Sequence, residues 1–151
     1  MKINFSNWKK WDERETFNDI LFPGIYCLAI TDLNLSDTPF YWIEEIKYFG
    51  MTNSRGGLKN RLRQFDDTIK GKRGHGGAAR FRYKHEDHLV LRNRLYVSIQ
   101  SFKCDVRSNQ PSDLIIMGEV AKHEYDCFAE FVKRFNRLPE FNDKTISPKR
   151  K

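Results

Sequence analysis

The stretch from Gly24 to Ile69 constrains this chain more than any other. Gly24 to Thr31 is apolar and partly β-branched, which suits a strand. TDLNLSDTP follows, and its clustered Asp, Asn, Ser and Pro give it turn chemistry. Phe40 to Gly50 then reads as a second strand, so the economical arrangement is a hairpin. From Leu58 onward Leu58, Leu62, Phe65 and Ile69 recur at helical spacing, with Lys59, Arg61, Arg63 and Lys70 on the other faces. Two strands each carry a tyrosine near a glycine, in Gly24-Ile25-Tyr26 and Tyr48-Phe49-Gly50, and a basic helix comes next.

Downstream, GKRGHGG breaks that helix, and Leu95 to Phe102 alternates as a third strand. A long helix is expected from about Ser112, read as its N-cap, to Phe135, with LPEFN ending it. Residues 1–21 read as a lead-in with one short helix around Asp12 to Ile20. Residues 22–143 form the expected domain, and 144–151, ending in SPKRK, a basic tail. The order strand, strand, helix, strand, helix predicts an α+β fold with a small three-stranded antiparallel sheet flanked by helices.

Charge and cysteine content limit the function classes. The 151 residues carry 27 Lys and Arg against 20 Asp and Glu, a net charge of +7. That balance favours a polyanionic partner. The three cysteines, Cys27, Cys104 and Cys127, lack metal spacing and read as reduced, buried hydrophobes of a cytoplasmic protein. No apolar run suggests a secretion signal or a membrane span.

Several residues stand out as chemistry. Tyr26 and Tyr48 would meet at one face if their strands pair. Lys59, Arg63, Lys70, Lys72, Arg73, Arg80, Arg82 and Lys84 flank Arg61 and the glycine-rich segment, and suit a phosphate backbone. On the long helix, Met117, Val120, Ala121, Phe128, Phe131 and Phe135 form an apolar stripe with Glu124 in its middle. Such a glutamate is either a core carboxylate neutralised by Arg or Tyr, or a ligand for a hard cation. Glu119, His123, Glu130 and Arg134 fall on the opposite, polar face.

Taken in order, these pieces resemble the GIY-YIG nuclease family over roughly residues 22–143. The first motif is Gly24-Ile25-Tyr26 and the second Tyr48-Phe49-Gly50, with Phe for the central Ile. Arg61 in GGLKNRL is similar to the family's helix arginine, and His75 in GHGG to a histidine that follows that helix in several members. Glu124, with Cys127 and Phe128 after it, looks like the metal-binding glutamate, and Pro139-Glu140-Phe141-Asn142 like the closing PxYN pattern. Three features depart from the family pattern: Ser54 to Gly57 is inserted, Phe65 stands where His or Tyr is usual, and Glu130 offers an alternative spacing from Asn142 for the metal ligand.

The resemblance implies a stand-alone, restriction-like or phage-like endonuclease that cuts double-stranded DNA with one Mg²⁺ or Mn²⁺. Tyr26 would be the general base or orient the attacking water, helped by Tyr48. Arg61 and the cation on Glu124 would stabilise the transition state and the leaving oxygen. His75 would bond the phosphate or protonate the leaving group, and Asn142 would fix the local backbone or the glutamate. The same resemblance admits a nucleic-acid-binding module that keeps the scaffold and has lost activity.

Overall fold

A computed structural model describes residues 2–72 and 74–149. Arg73, read above as a phosphate contact, and the last two residues of the basic tail lie outside them. The fold is α+β. Its sheet has four antiparallel strands rather than three, in the order β1-β4-β2-β3. The central three are β2 (Gly24–Ile30), β3 (Ile46–Thr52) and β4 (Leu95–Ser101). The additional strand, β1 (Lys9–Lys10), pairs with Val97 and Tyr96 of β4. Two lysines carry no apolar alternation, so nothing local marked them as a strand. The second strand starts six residues later than expected, because 40–45 turn along the surface before Ile46 reaches the ladder.

Period-two alternation divides the sheet into two cores. Tyr26, Leu28, Val97 and Ile99 face one layer, where they meet Leu58, Leu62, Phe65 and Ile69 of helix α1 (Gly57–Ile69). Ile25, Cys27, Ala29 and Phe49 face the other layer, where helix α4 (Pro111–Phe135) lays Val120, Cys127 and Phe131 on them. Pro111 occupies the first turn of α4 and Gln110 its N-cap, two residues earlier than Ser112. Asn136 closes α4 in the left-handed conformation, φ 59°.

The glycine-rich basic segment is not a loop throughout. Gly76–Lys84 forms helix α2, capped by His75, and His88–Arg94 forms helix α3, capped by Asp87. The expected short N-terminal helix is a 3₁₀ turn over Trp11–Thr16. The lead-in contributes Phe5, Trp8, Trp11, Phe17 and Ile20 to the two cores, with Trp8 and Trp11 fully buried. No helix among the described residues is long and apolar enough to cross a membrane.

Helix α4 is rotated relative to the stripe drawn from its sequence. Val120, His123, Cys127 and Phe131 are its buried residues, whereas Ala121 is exposed. His123, expected on the polar face, is fully buried against the Phe102 ring and bonds the Glu119 carbonyl at 2.7 Å. Glu124 therefore sits at the margin of the buried face, half-buried, and not at its centre. Of the cysteines, Cys27 and Cys127 are buried and free, while Cys104 is only partly covered.

Candidate active site

Antiparallel register brings the two tyrosines together. Tyr26 on β2 lies opposite Gly50 on β3, and Tyr48 is two residues back along the same face. Their ring centroids are 6.1 Å apart. Each ring occupies space that a glycine leaves open. A Cβ on Gly50 would stand 2.3 Å from Tyr26 Cζ, and one on Gly77 would stand 2.4 Å from Tyr48 Cζ and Oη. The glycine of the second motif is thus a requirement of Tyr26, its cross-strand neighbour.

His75 closes the cluster from behind. Its backbone N–H donates to Thr68 Oγ1 at 3.0 Å, fixing the loop onto α1. Its Nδ1 accepts the Ala78 N–H at 3.2 Å, as an N-cap. Its Nε2 lies 2.7 Å from Tyr26 Oη. Burial, with the Arg61 and Arg80 charges, drives the imidazole pKa down to about 3, so the ring is neutral at ordinary pH. An amide can only donate, so Nδ1 carries no proton and Nε2 does. His75 therefore donates to the Tyr26 oxygen. Both ring nitrogens are committed within the protein, and the side chain is 2% exposed.

That assignment gives the phenols a direction. The Tyr26 oxygen accepts from His75, and its ring lies beside that of Tyr48, their centroids 6.1 Å apart. Tyr26 is fully buried, and burial holds its pKa well above the usual phenol value against the pull of Arg61. Tyr48 is partly open, and its phenol is also raised, by burial and then by the Glu124 charge, against Arg61, Arg80 and the Tyr26 hydrogen bond. Tyr48 is thus the phenol of the pair that solvent can reach.

Phe65, the apolar departure from the family pattern, is fully buried between these groups. Its ring sits 5.0 Å from His75, 6.1 Å from Tyr48 and 4.9 Å from Phe81. His75 rests edge-on against that ring.

Arg61 and Glu124 complete the site. Arg61 is half-buried; its Nη1 bonds Gln64 Oε1 at 3.2 Å, and its Nε is buried without a protein partner. Because β3 is the outer strand, the Glu124 carboxylate on the α4 layer reaches the electrostatic field of both phenols on the other. Burial raises its pKa to about 7, with Arg61 opposing. No hydrogen bond or ion pair to Glu124 occurs among the described residues. Glu130 is likewise half-buried but differs in its partners: it is bonded to Arg134 at 2.9 Å and near Lys133 at 4.0 Å. Asn142 grips the edge strand: its Oδ1 accepts the Phe49 N–H and its Nδ2 donates to the Phe49 carbonyl, both at 2.9 Å. It fixes the backbone next to Tyr48, not the glutamate.

A hard cation fits here only in one mode. Among the described residues no group of three or more His, Cys, Asp or Glu forms a cage. Glu124 offers one desolvated carboxylate with free lone pairs, which suits Mg²⁺ or Mn²⁺ that keep most ligands from water and a substrate phosphate.

The expected phosphate contacts divide sharply. Arg80 is 6% exposed and donates to the Phe141 carbonyl at 3.1 Å, so it is structural and not a surface cation. Arg82 donates to the Ile69 carbonyl at 3.2 Å, Lys70 pairs with Asp66 at 2.7 Å, Arg63 with Asp67 at 2.8 Å, and Lys84 with Glu140. Lys59 and Lys72 are exposed, with no carboxylate partner among the described residues. Lys72, Arg82 and Lys149 line an open cavity of about 830 Å³ against Gly74 and His75. Thr68 and Gly77, which position His75 and Tyr48, carried no sequence signal of their own beyond the doubled glycine. Set against protein-family models, curated proteins and solved structures, the chain finds no match.

Proposed function

We propose that this protein is a divalent-metal-dependent DNA endonuclease of the GIY-YIG type, hydrolysing phosphodiester bonds. The observation that carries the reading is the half-buried, unpaired Glu124 carboxylate, sharing one electrostatic site with Arg61 and two phenols. An uncompensated carboxylate in such a place is costly unless a cation completes it.

The chain's own residues divide the work. Tyr48, partly open to solvent, orients the attacking water; once its phenol proton has passed to solvent, the phenolate takes the water's proton as the water oxygen bonds to phosphorus and the ester P–O bond breaks. The Arg61 and Arg80 charges favour the Tyr48 phenolate that must exist before the attack, and His75 holds Tyr26 beside it. Arg61 offsets the charge that accumulates on the phosphoryl oxygens. The leaving oxygen takes its proton from solvent. A Mg²⁺ or Mn²⁺ held by Glu124 would neutralise charge on the phosphate and the leaving oxygen. The cavity beside His75, with Lys72, Arg82 and Lys149, offers a track for the phosphate backbone.

A second reading, a scaffold that binds DNA without cutting it, is favoured by one observation. Burial holds both phenols protonated at neutral pH, and Tyr26 has no solvent access. One assay separates the two: purified protein on supercoiled plasmid with Mg²⁺ or Mn²⁺, against an EDTA control. Nicked or linear product that EDTA abolishes supports the endonuclease. Salt-sensitive binding without product, at any metal concentration, supports the inert scaffold.

A further inference from the structure

The outward face of α4 is apolar along its length. At 100° per residue, Leu114, Gly118, Ala121, Tyr125, Phe128 and Val132 share about 100° of arc. No charged residue interrupts them. Leu114 is 49% exposed, Tyr125 72% and Val132 40%, and Ile115 at the border is 66% exposed. Gly118 has open space where a Cβ would project. Surface helices normally place charge there, and an exposed apolar patch of this extent marks an interface.

The geometry points to a second copy of this chain as the occupant, its α4 packed antiparallel about a two-fold axis at the level of His123. The six residues are spaced 4, 3, 4, 3 and 4 apart, a pattern symmetric about position 123. An antiparallel copy therefore sets Leu114 against Val132, Ala121 against Tyr125 and Gly118 against Phe128. Each aromatic side chain meets a small residue, Leu114 meets Val132, and the glycine lets the helices approach closely. Charge agrees with the same axis. Lys122 and Asp126 flank the stripe on one side, bonded to each other at 2.8 Å. A two-fold keeps that flank against itself, so each lies beside its opposite in the second copy. The four large exposed residues present roughly 500 Å² per copy, so a pair buries on the order of 1,000 Å², the lower bound of a specific interface.

Sedimentation or light scattering of the full chain across concentration tests it. The mass should rise from 18.0 kDa toward twice that value. Tyr125→Glu should hold it at the monomer. Lys122→Glu and Asp126→Lys should each weaken association about tenfold, and the double reversal should restore it. Because the charge reversals lie on an exposed surface, they carry the test even if Tyr125→Glu fails to fold. A mass fixed at 18.0 kDa up to about 0.5 mM, association unaffected by Tyr125→Glu in a folded protein, or a double reversal that fails to restore it would overturn the proposal.

Discussion

Asn142 holds the backbone of Phe49 through two hydrogen bonds of 2.9 Å, completing an edge strand with no neighbouring strand on that side. The side chain stands in for the missing ladder partner of β3 one residue after Tyr48. Asn142→Ala leaves a buried N–H and a carbonyl to find water at the strand edge. The expected loss is about 1–3 kcal/mol of unfolding free energy, read by urea denaturation. Cleavage should fall further than this loss explains, because Tyr48 shifts with the strand. Wild-type stability in Asn142→Ala would show that the clamp is incidental.

Gly77→Ala should act through a single side chain. Its Cβ would stand 2.4 Å from the Tyr48 ring, and α2 cannot retreat while His75 is bonded to Thr68 and Tyr26. Overpacking of this kind costs about 1–3 kcal/mol. Combined with Tyr48→Ala, most of that cost should vanish, giving a non-additive double-mutant cycle. Additive losses would mean that Gly77 matters for some other reason.

The neutral His75 ring sets an acid limit on the fold. Its native pKa is about 3, against about 6.5 in an unfolded chain. Between these values the unfolded chain binds a proton that the native ring refuses. Stability is therefore unaffected above about pH 6.5 and falls as pH drops toward 3, by about 3 kcal/mol at pH 4 from this group. His75→Asn keeps a capping acceptor for Ala78 and cannot protonate. It should be less stable than wild type at pH 7 but should flatten the decline between pH 6.5 and 4. Parallel denaturation curves across that window would rule out the assigned tautomer.

How far these features were legible follows from what each depends on. The three main strands, α1, α4 and the Tyr26–Tyr48 pairing follow local periodicity and register, so the sequence showed them. β1 has two residues and exists only because β4 has a free edge. α2 hides inside a glycine-rich basic segment, and its start depends on a histidine acting as cap, which is outside the usual Ser, Thr, Asp and Asn set. The rotation of α4 was misread because the wheel weighs phenylalanine over histidine. His123 is buried since its ring bonds within the helix and packs on Phe102, a tertiary contact that no periodicity encodes. Arg80 was misread for a related reason: charge in a basic run says nothing about whether a carbonyl waits beneath it.

Salt dependence of DNA binding should sort the basic residues accordingly. With about four phosphate contacts, log K against log salt should slope near −3 to −4. Lys72→Ala should make the slope shallower by about 1, as the lysine faces the cavity with no competing carboxylate. Arg80→Ala should leave the slope unchanged and instead lower stability, since it strands the Phe141 carbonyl. A slope near zero on duplex DNA would remove the nucleic-acid reading in either form.

The two glutamates of α4 give the sharpest test of the site. Glu124→Gln replaces a strong cation ligand with a neutral amide, so metal-dependent cleavage should be lost. The fold should not suffer. The Glu124 carboxyl pKa is raised to about 7 by burial, so ionising it opposes folding. From this group, stability should then decline as pH rises from about 4.5 to about 7, where the unfolded chain has lost the proton and the native chain has not, opposing the His75 trend. Without added metal, Glu124→Gln should lack that decline and be at least as stable as wild type at pH 8. Adding Mn²⁺ should raise the melting temperature of wild type and leave Glu124→Gln unmoved. Glu130→Gln breaks only exposed pairs with Arg134 and Lys133, so activity should persist and stability should change by less than about 0.5 kcal/mol. If Glu130→Gln is inactive while Glu124→Gln cuts normally, the cation sits on the solvent side of α4, and the site built around Tyr48 and Arg61 is not the one that reacts.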